Sequence, residues 1–183
     1  MHRSDNLEIR AAAGLRSSSP GVLAGYAAVF DRPADLGEFT ETVRSGAFSK
    51  SLEQPEGIFA LFDHERRSVL GRVGSKTLRL TQDSKGLEFE VDLPDTGVGR
   101  DLAVLVERGD VSGCSFAFLT PEGGDRWEMR SGRMYRDLVT VDLREITITP
   151  TPAYADTTVA KRSMSHVQIA TLDTRRAWLE TCR

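Results

Sequence analysis

The sequence contains few of the residues that cross-link small proteins or hold metal ions. Its 183 residues include two cysteines, Cys114 and Cys182, and three histidines. Two cysteines make no disulfide framework, and without a second Cys/His pair they complete no zinc site. We therefore expect no zinc site. A chain of this length is long enough to fold on a hydrophobic core without such help.

Strong charge bias and long apolar runs are also missing. Lysine and arginine number 24 and aspartate and glutamate 27, so the formal net charge is −3. Nucleic-acid-binding domains usually carry a basic excess, which argues against that class. The longest run without charged or strongly polar residues, residues 21–30, is about half of a bilayer span. No secretory signal is visible at the start, so we expect a soluble intracellular protein with neither a nucleic-acid nor a membrane partner.

Short segments with strand character dominate the chain. A polar turn is predicted at residues 16–21, a partly helical segment at residues 39–53, and a helix capped by Asp95 or Thr96 and ended by Gly109. Many short strands with one or two helices predict a mostly β fold at the α+β margin, either a mostly antiparallel barrel or a sandwich. The predicted strands are Leu7–Ala13, Val22–Phe30, Gly57–His64, Val69–Val73, Thr77–Thr81, Leu87–Leu93, Ser112–Leu119, Asp125–Arg130, Met134–Leu138 and Val141–Thr149.

The composition changes near the C-terminus and suggests a division of the chain. Strand alternation ends before Pro150, and from Lys161 the sequence is polar with an Arg-rich, helix-like piece. We therefore assign residues 1–160 to one domain and residues 161–183 to a C-terminal tail. Polar chain of this kind enters protease clefts readily, so the tail is a candidate for removal.

His64 is the first candidate for chemistry. It is the only histidine in the predicted folded region, since His2 is terminal and His166 lies in the tail. Histidine is the side chain most readily poised as a general base near neutral pH. The simpler interpretation is an exposed turn histidine among charged neighbours.

The second candidate lies in residues 113–118. Alternation places Cys114 and the two phenylalanines that follow it on one face, and Ser115 with small residues on the other. Small residues around a hydroxyl let a ligand or another backbone approach closely. Ser115 is therefore a candidate nucleophile, although a solvated serine on an edge strand has the same pattern. Cys114 is the rival, but its place among the phenylalanines favours a buried, inert thiol.

The third candidate is Glu145. Val141 and Leu143 define one apolar face of the last strand, whereas Ile146 has the opposite parity. The pattern slips by one residue at 144–145, as a β-bulge would produce, and bulges often lie beside active sites. A carboxylate there could orient an imidazole. A surface salt bridge to an arginine is the plainer alternative.

Taken together in this order, the motifs resemble the prohead (capsid maturation) protease family of tailed phages and related prophages. The resemblance covers about residues 7–160. It depends on Gly25-Tyr26-Ala27-Ala28-Val29-Phe30, Gly46-Ala47-Phe48, Ala60-Leu61-Phe62-Asp63-His64, Leu70-Gly71-Arg72, Gly113-Cys114-Ser115-Phe116-Ala117-Phe118, Asp142-Leu143-Arg144-Glu145-Ile146 and Pro152-Ala153-Tyr154.

The resemblance implies a serine endopeptidase with Ser115 as nucleophile, His64 as base and Glu145 as the acidic third member. It implies no metal and no organic cofactor. The family is distantly similar to the herpesvirus assemblins, which implies a closed antiparallel β-barrel flanked by a few helices. Arg144 falls where assemblins carry an arginine near the oxyanion site. Backbone N–H groups near the bulge are then the expected oxyanion donors.

The resemblance also implies partners and a place of action. Scaffold and major capsid proteins would be the substrates, and the enzyme would associate with itself and process itself. It would work in the cytoplasm of a bacterial host, inside the assembling procapsid. The alternative of another class is a non-catalytic β-barrel module that binds capsid or scaffold proteins. A third interpretation is a cysteine hydrolase that uses Cys114 with His64.

Overall fold

The structure is a computed structural model, and it describes residues 7–13 and 15–150. The predicted tail, residues 161–183, lies outside the described residues. The helices are α1 (Ser49–Glu53) and α2 (Gly97–Glu107). The strands are β1 (Glu8–Ala13), β2 (Arg16–Ser19), β3 (Val22–Val29), β4 (Ala34–Asp35), β5 (Phe39–Val43), β6 (Phe59–Phe62), β7 (Glu65–Arg72), β8 (Leu78–Gln82), β9 (Gly86–Asp92), β10 (Gly113–Leu119), β11 (Asp125–Arg130), β12 (Arg133–Leu138) and β13 (Asp142–Thr149).

The strands form three sheets. Their orders are β1-β10-β13-β6-β7, β11-β12-β5-β4 and β2-β3-β9-β8. The predicted mostly β class is confirmed, but the closed antiparallel barrel is wrong. Over the described residues the sheets are open, and β13 with β6 and β12 with β5 run parallel. Alternation along a strand indicates which face is buried and says nothing about the direction of its partner.

Two local predictions are also corrected. Residues 16–19 of the predicted polar turn form β2, a fully exposed strand paired with β3. It was missed because it has no apolar face. The segment predicted to be partly helical begins as β5 and becomes helical only in α1. β5 pairs in parallel with β12, a partner about 95 residues away that no local pattern reveals.

Several elements agree with the sequence. In β9, Leu87, Phe89 and Val91 are buried on one face. Thr96 caps helix α2, as predicted, and its Oγ1 accepts a hydrogen bond from the Gly99 N–H at 3.3 Å. The β11–β12 hairpin turns at residues 131–132. No helix within residues 7–13 and 15–150 is long and apolar enough to cross a bilayer.

The hydrophobic core lies against one face of β10. Cys114, Phe116 and Phe118 are each at most 1% exposed, as predicted. The Phe116 ring meets Phe48 edge-on at 5.4 Å and stacks on Phe118 at 5.2 Å between centroids. Aromatic pairs of this geometry stabilise a core beyond the area that they bury. They hold β10 rigidly, with its other face directed away from the aromatic cluster.

A buried cluster of charged side chains, Glu8, Arg10, Glu41 and Arg136, joins two of the sheets. Arg136 of β12 donates to Glu8 of β1 at 2.9 Å and to Glu41 of β5 at 3.0 Å, while Arg10 of β1 donates to Glu41 at 2.8 Å. Burial opposes ionisation of Glu8, but the hydrogen bond and charge of Arg136 outweigh it and lower the pKa of Glu8. The cluster thereby anchors β1 to β5 and β12 of the neighbouring sheet.

Candidate active site

Ser115 lies near the middle of β10, between two paired strands. It is opposite Ala11 of β1 and Thr147 of β13, and its side chain is buried. Two residues further along, Ala117 is opposite Glu145. Directly opposed side chains leave the same face of a sheet with their Cβ atoms about 4.5–5.5 Å apart. Ser115, Thr147 and Glu145 therefore share one face.

The bulge in β13 is what places Glu145 on this face. The register of the β10–β13 pair skips Arg144, so the bulge predicted from the sequence is confirmed. Leu143 and Ile146 are both buried in the core. In a regular strand Leu143 and Glu145 would share a face. The extra residue keeps Leu143 in the core and turns Glu145 to the side of Ser115.

His64 lies in the two-residue turn that joins β6 to β7, and its ring contacts Glu145. The distance from His64 Nδ1 to Glu145 Oε1 is 2.8 Å, and the two side chains are 26% and 10% exposed. An ionised carboxylate only accepts hydrogen bonds, so Nδ1 is the donor in this contact, and in the neutral imidazole Nε2 then carries the lone pair. Nε2 is shielded from solvent and has no hydrogen-bond partner among the described residues. His64 is therefore not simply a solvated turn histidine. Within the described part of the chain, Glu145 is paired with this ring and not with an arginine.

Cys114 is directed away from this face. Its side chain belongs to the core, and its Sγ lies 3.6 Å from the Ser115 carbonyl oxygen. Burial raises the pKa of the Cys114 thiol to about 12. A thiol with so high a pKa is almost entirely protonated near neutral pH, which makes it a poor nucleophile.

Two neighbouring residues complete the description of this region. Thr147 Oγ1 accepts a hydrogen bond from the His64 backbone N–H at 2.9 Å. Sequence reasoning missed Thr147, because a threonine in a strand is an ordinary β-former and gives no separate signal. Arg144 is half-exposed and donates to Asp142 at 2.6 Å. No cluster of three or more metal-binding side chains occurs in residues 7–13 and 15–150.

A carboxylate that holds an imidazole, on a sheet face that also carries a serine, is the side-chain set of the triad serine hydrolases. That is the class of enzyme that the site's composition indicates. The individual side chains set no narrower limit, because unrelated folds use the same set.

Comparison with known proteins identifies the family. The profile described as caudovirus prohead serine protease matches residues 5–170, and the chain belongs to this family. It is accordingly a serine protease of phage capsid maturation, which leaves the non-catalytic binding module unsupported. The solved structure of the bacteriophage T4 capsid assembly protease, gp21, is similar to this fold with a TM-score of 0.52. That likeness covers 78% of this chain and 96% of the T4 chain at 7% identity, and it concerns the fold alone. No curated protein matches the sequence.

Proposed function

We propose that the protein is an endopeptidase in which Ser115, His64 and Glu145 act as a catalytic triad. The Ser115 hydroxyl attacks the scissile carbonyl carbon while His64 Nε2 takes its proton. Nε2 then gives that proton to the leaving amine, and an acyl-enzyme remains on Ser115. Water, deprotonated by the same nitrogen, attacks the ester carbonyl, and Nε2 returns the proton to the Ser115 oxygen as the second product leaves. Glu145 holds the ring and stabilises the imidazolium formed in each half-reaction.

The contact between His64 and Glu145 is the observation that carries this proposal. It joins residues from two elements 81 positions apart. The contact with Glu145 uses Nδ1 of His64, so Nε2 remains available for the proton transfer that the mechanism needs. Glu145 lies on the sheet face of Ser115 only because of the bulge in β13. A structural ion pair would have no reason to leave Nε2 without a partner, since burying an unpaired polar atom costs free energy.

The bulge also supports a site for the oxyanion. At a bulge one residue leaves the regular ladder, so its backbone groups are free to point elsewhere. We assign the oxyanion donors to backbone N–H groups near Arg144, where one donor is worth about 3 kcal/mol of transition-state stabilisation. Ser115 itself is fully buried.

We assign scaffold and major capsid proteins as the substrates, cleaved inside the assembling procapsid in the cytoplasm of a bacterial host. The test is co-expression with the neighbouring capsid genes, followed by mass spectrometry of new termini. Wild type should produce discrete cleavage products, and Ser115→Ala and His64→Gln should produce none. The same new termini in the Ser115→Ala sample would refute the assignment.

Self-processing is the second part of the proposal. The tail from about Lys161 is polar in sequence and would enter a protease cleft readily. Intact mass should show loss of this segment from wild type after long incubation but not from Ser115→Ala. Two full-length proteins, or two proteins clipped alike, would contradict it. Self-association remains a prediction that light scattering on the Ser115→Ala protein would check.

A further inference from the structure

The turn that carries His64 has an unusual backbone for its residues. β6 and β7 are joined by Asp63 and His64 alone, since Phe62 pairs with Glu65 across the hairpin. Asp63 has φ of 52° and His64 has φ of 59°, so both are in the left-handed region. Two-residue hairpins of this form favour Asn-Gly, because a side chain on the second residue is strained there. Such strain persists only where the surroundings hold it, and it concentrates at functional sites.

Strand β13 supplies the groups that hold this turn. The Asp63 N–H donates to the Ile148 carbonyl at 2.9 Å, and Thr149 Oγ1 donates to the Asp63 carboxylate at 2.7 Å. The backbone of His64 itself is held by Thr147. Its hydroxyl accepts the His64 N–H at 2.9 Å and donates to the Leu61 carbonyl at 3.2 Å.

Thr147 stands between the two residues that the mechanism must bring together. It is fully buried, opposite Ser115 on one neighbouring strand and paired with Leu61 on the other. Glu145, two residues before it on the same face, contacts the ring of His64. One stretch of β13 therefore fixes His64 at two points, the ring through Glu145 and the backbone through Thr147.

We propose that Thr147 is a positioning residue for His64: its hydroxyl holds the histidine backbone in the left-handed conformation that directs the imidazole toward Ser115. The inference rests on the proposed triad. Without this hydroxyl, the His64 N–H has no acceptor and the turn relaxes. The ring then rotates about its remaining contact with Glu145, and Nε2 leaves the position from which it takes the serine proton.

The test uses three variants of the full chain. Thr147→Val keeps the shape of the side chain without the hydroxyl, and Thr147→Ser keeps the hydroxyl. Thr77→Val is the matched control, because Thr77 Oγ1 also accepts a backbone N–H, that of Arg72, at 3.0 Å. That bond lies at the other end of β7, about 23 Å along the strand from the turn.

The probe is diisopropyl fluorophosphate, which needs no knowledge of the substrate. Serine Oγ forms a bond to phosphorus, the P–F bond breaks, and the hydroxyl proton passes to His64. Thr147→Val should react at least about tenfold more slowly than wild type, whereas Thr147→Ser and Thr77→Val should stay within about twofold. The rise of the rate with pH that a histidine base gives should be lost in Thr147→Val alone. Exchange of the His64 amide proton should also be faster in that variant.

The outcomes separate this inference from the proposed function. If wild type does not react, or if Ser115→Ala reacts equally, the proposed triad fails. If wild type reacts at Ser115 and Thr147→Val matches it in rate and pH profile, only the role of Thr147 is refuted. Thr147→Ala replaces the valine variant if the latter does not fold. Failure of both to fold, beside a folded Thr77→Val, would assign the hydroxyl to stability alone and overturn the proposal.

Discussion

The nucleophile can be identified by replacing, one at a time, two adjacent residues that lie on opposite faces of β10. Ser115→Ala removes the hydroxyl on the face of Glu145, and Cys114→Ala removes the thiol on the aromatic face. If the triad is correct, the first change abolishes proteolysis and the second preserves it. The two variants test the same strand, so they control for each other's effect on local structure.

The expected sizes follow from the environment of each residue. With a pKa of about 12, Cys114 is a thiolate in about one molecule in ten thousand at pH 8. Deleting one buried heavy atom costs about 1 kcal/mol of stability, which leaves the protein folded. Loss of a triad nucleophile lowers the rate by several orders of magnitude. We therefore expect a fall of at least about 10³-fold for Ser115→Ala and less than about threefold for Cys114→Ala.

The assay is the rate of capsid-protein cleavage, measured well below the unfolding temperature of both variants. Labelling by iodoacetamide at pH 8 is a second readout, made in a Cys182→Ser background so that Cys114 is the one thiol present. It should react on the order of a thousandfold more slowly than a free cysteine. An inactive, folded Cys114→Ala beside an active Ser115→Ala would reverse the assignment. Rapid labelling of Cys114 would refute the argument from burial.

Four further outcomes are expected. Activity should fall as the pH is lowered because only neutral imidazole accepts a proton; activity that does not fall on acidification, or activity in His64→Gln, would exclude this base. Glu145→Gln should lower kcat by up to about 10⁴-fold in the same cleavage assay without unfolding the protein, since a neutral amide allows the other imidazole tautomer and does not stabilise the imidazolium; unchanged kcat would remove Glu145 from the triad. Arg136→Met should lower the free energy of unfolding in urea by about 3–5 kcal/mol, because it leaves buried carboxylates without a partner. The control Arg16→Met removes an exposed ion pair and should lower it by about 0–1 kcal/mol. Equal losses would contradict a stabilising role for the cluster. Folding lowers the pKa of Glu8 below its ordinary value of 4.5, so the stability that ionised Glu8 contributes is present above pH 4.5 and is lost as the pH falls through the folded pKa. Glu8→Gln should therefore reduce the dependence of the free energy of unfolding on pH in this acidic range. An unchanged dependence would argue against this role of Glu8.

The strand pattern and the three candidate residues were accessible from sequence because they depend on neighbours along the chain. Alternation identified the aromatic face of β10, and the slip in parity at residue 144 predicted the bulge that turns Glu145 away from the core. The order of the motifs placed the chain in its family. Each of these signals is local, since side chains alternate with a period of two along any strand.

The tertiary structure alone decided which strands are partners and which polar groups are buried. The parallel pairing of β13 with β6 brings the His64 turn to Glu145 and Thr147, and nothing local in β6 specifies that neighbour. In the sequence, Arg136 and Glu41 cannot be distinguished from charged residues on the surface. In the fold both are buried and form an ion pair. The physical reason is the same in both cases. A strand's hydrogen bonds and a charge's counter-ion come from residues far away in the chain, so their free energy is determined only when the sheets assemble.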